Sequence, residues 1–323
     1  MKAYLCRRYG GPGVLDLVDT AKPVPKDDEI LIKIHATSVT SGDVRVRSMT
    51  VPAGLGLIAR LAMGLRGPRQ PILGTELAGV VEVIGSKVTK FQVGDAVIAF
   101  PGSAMGCHAE YRCIAQDGLV AHKPSNLSFA EAVGLLFGGS TALHFLRKAK
   151  VKPGETMLII GASGGVGTAL VQLARHQGAV VTAVTSRANS DLAKALGAEF
   201  VIDYTAEDFT KRSERYDVIM DVVGASTFKA CQHMLADKGR FAAIAGGIGD
   251  ILAVLWAPII SGKKVIAGPA EERPDDVIRI AELASNGTLR PVVDRCYPFE
   301  QMAAAHAYVD TRRKRGAVAI TLD

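Results

Sequence analysis

The hydrophobic pattern changes character partway along the chain. In the first part, "DDEILIKIHATSV" alternates apolar and polar residues as a strand does, and "FQVGDAVIAF" sets a Gly-Asp turn ahead of a second apolar run. Val, Ile and Thr recur there among frequent Gly and Pro, and helical periodicity is scarce, which predicts a β-rich domain over residues 1–124. One stretch breaks the rule. "VPAGLGLIARLAMGLRGPRQP" is apolar and helix-leaning, and reads either as a lid over a pocket or as a packed surface helix. From about Ser125 helices appear: "SFAEAVGLLF", with Ser128 and Glu131 spaced as a capping box, and "STALHFLRKAK". Apolar runs then interleave with helical ones. "TMLII" precedes a helix from Val166 to His176, "VVTAVT" precedes one starting near Ser190, and "FVID", "DVIMDVV", "GRFAAIA" and "KKVIAG" follow. That alternation predicts an α/β domain with a parallel, doubly wound sheet over residues 125–289. The tail from about Pro291 turns strand-like again and ends "AVAITL". It is expected to rejoin the first domain, which would then be discontinuous, 1–124 with 290–323.

A chain of 323 residues has room for two such cores. Its 48% hydrophobic and 22% charged residues and 34 glycines are those of an ordinary α/β enzyme. The net charge of +6 is too small and too evenly spread to indicate nucleic acid. The densest basic cluster, Arg312 to Arg315, reads as a solvated face. Five scattered cysteines suit a reducing compartment rather than a disulfide framework. "MKAYLCRRYGG" lacks the apolar core of a secretory signal, so a cytoplasmic protein is expected. "FAAIAGGIGDILAVLWAPII" is the most lipid-like stretch, but Asp250 and Pro258 interrupt it, and a buried helix or pocket wall is expected rather than a membrane span.

The chemistry concentrates in "ETMLIIGASGGVGTALVQLARHQGA". A strand runs into Gly161, Ala162, Ser163, Gly164, Gly165, Val166 and Gly167, which open an amphipathic helix. Glycines there permit a tight turn, let backbone approach a pyrophosphate, and let helix and strand pack closely, while the helix N-terminus offers free N–H groups to phosphate. Ala162 holds the first place of the dinucleotide fingerprint. The end of the next strand decides which dinucleotide. A site for a free ribose 2′-hydroxyl carries an acid there, but this chain has Thr185, Ser186 and Arg187, and no acid until Asp191. A hydroxyl and a guanidinium suit a 2′-phosphate, so the expected cofactor is NADPH.

Taken together, these features resemble the medium-chain dehydrogenase/reductase superfamily over essentially the whole chain. Its members join a split, β-rich GroES-like domain to a Rossmann domain. Gly74, Glu76, Gly79, Gly85 and Val88 reproduce the frame of the zinc alcohol dehydrogenases, but Thr75 replaces the zinc-binding histidine and Val39 stands where the cysteine ligand would be. The cysteine-rich loop of a structural zinc is also missing, and Cys107, His108 and Cys113 in "GCHAEYRC" lack a zinc-site spacing, so no metal is expected. Gly154, Glu155, Leu158, Ala162, Ser163, Gly164, Gly165, Gly167, Gln172 and Arg175 match the signature of the zinc-free quinone oxidoreductase (zeta-crystallin-like) group. That resemblance implies NADPH-dependent reduction of a quinone or of the activated C=C bond of an enone or enal. Such an acceptor takes hydride at carbon and spreads charge onto an oxygen that hydrogen bonds can stabilise without a metal.

The resemblance also implies roles. Thr141 would lie beside the cofactor, Ala162, Ser163, Gly164, Gly165 and Val166 would cradle its phosphates, and Ser186, Arg187 and Tyr204 would flank the 2′-phosphate. Val223, with Gly224, and Gly246 would border the ribose and nicotinamide. Thr40 stands where relatives often carry Asn, and either it or Ser41 would donate to the developing enolate oxygen, unless its hydroxyl is a buried group bonded to backbone. A small hydrophobic carbonyl or quinone substrate is expected from the two apolar stretches, along with a homodimer. The alternative is a non-catalytic NADPH-binding redox sensor or RNA-associating protein of the same fold.

Overall fold

The computed structural model describes residues 1–51 and 56–322. In chain order the first part carries β1 (Lys2–Cys6), β2 (Leu15–Asp19), β3 (Glu29–Ser38), α1 (Ser41–Ser48), α2 (Gly56–Met63), β4 (Leu77–Ile84), β5 (Ala96–Ala99), β6 (Tyr111–Ala115), β7 (Val120–His122) and α3 (Phe129–Val133). The middle alternates α4 (Leu136–Ala149), β8 (Thr156–Ile160), α5 (Gly165–His176), β9 (Val180–Thr185), α6 (Ser190–Leu196), β10 (Phe200–Asp203), β11 (Tyr216–Asp221), α7 (Phe228–Cys231), β12 (Leu235–Ala243), α8 (Ile248–Ser261) and β13 (Lys264–Ala267). The tail adds α9 (Pro274–Ser285), β14 (Val293–Pro298), α10 (Met302–Asp310) and β15 (Ala317–Thr321).

Contacts divide the described chain into two units, one of residues 1–51, 56–137 and from 272 onward, the other of residues 138–271. In the first unit a mixed sheet runs β14-β15-β3-β4-β5-β7, with β6 also paired to β3. β3 is its central strand, and both of its faces are covered: Ile30, Leu31, Ile32, Ile34 and Ala36 are all buried. The tail does return to this sheet, since β15 pairs antiparallel with β3 through Ala319 opposite Ser38. Gly79 on β4 explains one of the regular glycines, because a Cβ there would stand 2.1 Å from the Lys33 carbonyl oxygen on the neighbouring strand. Ile30, Ile34, Leu73, Leu77, Val97 and Ile320 form the middle of this unit's core.

The second unit is a six-stranded sheet ordered β10-β9-β8-β11-β12-β13. Every pairing in it is parallel. The order reverses between β8 and β11, the switch point outside which ligands of doubly wound sheets bind. Apart from residues 237–240 in β12, its strands are largely apolar runs because helices cover the sheet. Leu158, Ile160, Ile219, Phe228 and Phe241 fill the core.

Three expectations are corrected. The parallel-sheet domain is shorter than 125–289, because α3 packs on β3 and β4, and α9 on β7, of the first unit. Both helices follow the sheet their apolar faces meet, Ala132 and Val133 in one case, Val277 and Ile280 in the other. Second, α8 is not a buried helix. Asp250, Ala253 and Ala257 are buried, whereas Leu255, Ile259 and Ile260 are 74–85% exposed. Third, residues 52–55 of the apolar stretch Val51–Pro71 lie outside the described residues, and α2, which follows them, has no buried residue. Only Ala59 and Met63 of it are half-buried, so it is packed far less than its apolarity predicts. Among the described residues one helical segment, Phe129–Ala149, is long and apolar enough to cross a membrane by length and composition, and 67% of its most apolar window is buried inside the protein.

Candidate functional site

The second unit gathers backbone and polar side chains at the carboxyl ends of its parallel strands. β8 is followed by Gly161, whose φ of +85° lies in the region open to glycine. A Cβ on Gly161 would lie 2.6 Å from Val223 Cγ1. Gly164 caps α5 with no side chain of its own. Gly167 lies against the loop, and a Cβ there would meet the Gly161 carbonyl oxygen at 2.2 Å and the Ala162 carbonyl carbon at 2.7 Å. The first turn of α5 is thereby held on β8 with its leading N–H groups free of intrahelical acceptors, a cradle for phosphate. Gly138 of α4 supports it from behind, since a Cβ there would lie 2.3 Å from the Gly165 carbonyl oxygen. Thr141 is half-buried one turn further along α4.

Beside the cradle a polar cluster forms at the end of β9. Thr185 Oγ1 donates to Ser163 Oγ at 3.0 Å, and Asn189 Nδ2 donates to both Ser163 Oγ and Ser186 Oγ at 3.2 Å. The Arg187 backbone N–H donates to Asp203 Oδ1 at 3.0 Å, while its guanidinium is exposed. Asp203 is held below the usual carboxylate range, chiefly by the Thr205 hydroxyl, which donates to it at 2.6 Å. Tyr204 follows it and is exposed. The loop after β11 hangs on Asp221, a buried carboxylate that accepts the N–H groups of Val223, Gly224 and Ser226 at 2.7–2.9 Å. Gly246 ends the loop after β12, where a Cβ would lie 2.5 Å from Ala243 Cβ. Asn189 and Asp221 escaped the sequence reading. Asn189 sits in a turn with no motif of its own, but an acid closing the apolar run "DVIMD" was a usable signal for Asp221.

The first unit holds a separate polar cluster around α1. Thr40 is the N-cap of this helix: its hydroxyl donates to Asp43 Oδ2 at 2.6 Å and accepts the Asp43 N–H at 3.2 Å. Asp43 Oδ1 takes the Gly74 N–H at 3.0 Å, and Thr75 Oγ1 lies 3.4 Å from Thr40 Oγ1. The buried Thr40 hydroxyl thus serves as a helix cap, whereas Ser41 next to it is exposed. Val39 is part of the apolar core and Thr75 is buried. Cys107 and His108 are buried too, and His108 Nε2 lies 3.0 Å from the Ser38 carbonyl oxygen.

Glu76 is a second buried acid of this cluster, beside Asp43. It takes the Phe137 N–H at 2.5 Å and the Ser38 hydroxyl, and burial pushes its carboxyl up to about 8. Lys314, itself pushed down to about 8 by burial, offsets part of that shift. At intermediate pH the folded chain therefore keeps a proton on Glu76 that the unfolded chain, with an ordinary carboxyl near 4.5, has already lost. This stabilisation is complete below pH 4.5 and is lost as pH rises toward about 8. Gln is neutral and can still accept the Phe137 N–H. Glu76→Gln should flatten the fall of Tm across that window, and thermal melts over the pH series would read it. An unchanged slope would exclude Glu76 as its source.

Comparison with known proteins adds to this geometry. Residues 26–144 match the alcohol dehydrogenase GroES-like domain, and residues 196–320 match a domain described as zinc-binding dehydrogenase. A 2-methylene-furan-3-one reductase of Solanum lycopersicum is 32% identical over 332 aligned positions, covering 99% of this chain and 79% of that protein. The quinone oxidoreductase of Coxiella burnetii superposes with a TM-score of 0.87 at 29% identity, covering 100% of this chain and 99% of the other. That of Escherichia coli, complexed with NADPH, gives 0.83 at 25% identity over all of both chains.

Proposed function

Because the chain belongs to the medium-chain dehydrogenase/reductase superfamily, in its quinone oxidoreductase group, we propose that it is a zinc-independent, NADPH-dependent reductase of quinones or α,β-unsaturated carbonyls. The observation that carries the reading is the cradle built by Gly161, Gly164 and Gly167 beside an exposed Arg187. Backbone N–H groups of α5 would bind the pyrophosphate, Ser186 and Arg187 the 2′-phosphate, and the loops carrying Val223 and Gly246 the ribose and nicotinamide. Thr141 and Tyr204 belong to the same proposed site. Bound NADPH supplies the hydride.

The residues at the zinc-ligand places do not suit a metal. Val39 offers no lone pair and lies in the core, and the Thr75 hydroxyl neighbours a helix cap. A conjugated acceptor can do without a Lewis acid, since its charge develops on an oxygen that hydrogen-bond donors can hold. We propose Ser41 as the hydroxyl that would donate to that oxygen, in preference to Thr40, whose own hydroxyl donates to Asp43. Purified protein should contain no stoichiometric zinc by elemental analysis, and chelator should leave NADPH oxidation by an enone or quinone unchanged. A tightly held zinc whose removal abolishes turnover would reject this branch. In the same assay Ser41→Ala should lower kcat more than it raises KM. An unaffected kcat would withdraw the role from Ser41.

A cytoplasmic homodimer belongs to this reading. α8 exposes Leu255, Ile259 and Ile260, and β13 beside it is the open edge of the sheet. Light scattering should give twice the chain mass, and a monomer at micromolar concentration would remove the dimer.

A further inference from the structure

α2 presents apolar side chains outward. Leu57, Ile58 and Leu61 share one face of the helix and are 72, 63 and 58% exposed, and Leu65, just past its end, is 64% exposed. A helix of eight residues with nothing buried has no packing reason to form in this place. Its end is nevertheless held firmly. Tyr9 Oη donates to the Gly64 carbonyl at 2.7 Å, Arg69 N donates to Met63 O at 2.7 Å, and the Arg60 and Arg69 guanidinium groups donate to the Leu65 and Leu61 carbonyls at 2.9 and 2.8 Å. Gly67 fixes the following turn against the β1 end, for a Cβ there would stand 2.2 Å from the Arg7 carbonyl oxygen. The apolar face is thus presented by a built, hydrogen-bonded support.

The charged side chains of α2 and its following turn have one sign. Arg60, Arg66 and Arg69 lie on α2 and its turn, and Arg7 and Arg8 lie on the segment the turn packs against; all five are exposed. From Met49 to Thr75 there is no acidic residue. Among the described residues, the one acid paired to this set is Asp16, 4.0 Å from Arg7. The contrast with α8 is informative, since that longer apolar helix carries no basic residue. An apolar ridge inside a collar of arginines matches the boundary of an anionic bilayer, where aliphatic side chains enter the acyl region and guanidinium groups meet phosphates.

We propose that α2 docks this protein on anionic lipid surfaces, with Leu57, Ile58, Leu61 and Leu65 inserted and Arg7, Arg8, Arg66 and Arg69 on the headgroups. This is independent of the hydride chemistry, and each can fail without the other. The test is co-sedimentation of the full chain with vesicles of phosphatidylcholine alone or mixed with phosphatidylglycerol. Wild type should pellet with the anionic vesicles, weakly with neutral ones, and less as salt is raised. The Leu57→Asp/Leu61→Asp variant should lower partitioning by ~tenfold or more, and Arg8→Glu/Arg66→Glu should do the same while losing the salt dependence. Circular dichroism and NADPH binding by the other unit show that each variant is folded. Absence of pelleting with anionic vesicles, equal binding to neutral ones, or a leucine variant that binds as wild type would overturn the proposal. Self-association abolished by Leu57→Asp/Leu61→Asp, without vesicle binding, would overturn it in favour of a second copy of the chain.

Discussion

Gly167→Ala should weaken NADPH binding by ~ten- to a hundredfold and lower the melting temperature as well. The added methyl would lie 2.2 Å from the Gly161 carbonyl oxygen and 2.7 Å from the Ala162 carbonyl carbon, both rigid backbone. Forcing such a group into a packed junction costs about 1–3 kcal/mol, and the same displacement moves the first turn of α5 off the phosphate position. Gly164→Ala is the informative partner. A Cβ at Gly164 meets only the Gly161 carbonyl oxygen, at 3.6 Å, and its φ of −78° suits alanine. It should therefore fold with at most a small fall in melting temperature, from the poorer N-cap, and lose affinity chiefly because a methyl stands where phosphate approaches. Isothermal titration together with thermal melts separates the two. If Gly167→Ala binds and melts as wild type does, the close packing assigned to this glycine is wrong. If Gly164→Ala binds as wild type does, the phosphate does not lie over it.

The second large effect concerns cofactor choice. Wild type should bind NADPH more tightly than NADH, and Arg187→Ala should narrow that gap by roughly ten- to a hundredfold, since a hydrogen bond between charged groups contributes about 1.5–3 kcal/mol. The substitution is clean because Arg187 is fixed through its backbone N–H to Asp203. Removing the guanidinium leaves that bond in place. NADH binding should barely change, so the loss falls on one cofactor. Equal affinity for both cofactors in the wild type, or a gap that Arg187→Ala leaves untouched, would contradict the assignment of Ser186 and Arg187 to a 2′-phosphate.

Local pattern made much of this legible. All six strands of the parallel sheet were readable as apolar runs, because a sheet covered on both faces needs no alternation. The glycine loop was readable because its spacing is set by backbone collisions that any residue but glycine would suffer. The return of β15 to β3 followed from its composition. Other features depended on partners distant in sequence. α3 and α9 look like further helices of the parallel domain until their buried faces meet β3 and β7. α8 and α2 are apolar enough to be read as buried or packed, and apolarity cannot say whether the cover comes from this chain or from another surface. The capping role of Thr40 was the hardest to separate, since a hydroxyl near a glycine-rich strand could equally serve substrate. Asp43, three residues on, is what ties that hydroxyl into the cap, at 2.6 Å.

The claim that binds these parts together is hydride transfer from NADPH to a conjugated acceptor without a metal. It is tested most directly by following NADPH consumption, with chelator present, across a matched set of acceptors: a benzoquinone, a linear enone, the saturated ketone of the same length and the corresponding aldehyde. The quinone, the enone or both should be reduced, and the saturated ketone and aldehyde should not. Turnover of the saturated carbonyls at rates equal to the conjugated ones, or no consumption with any acceptor despite tight NADPH binding, would contradict it.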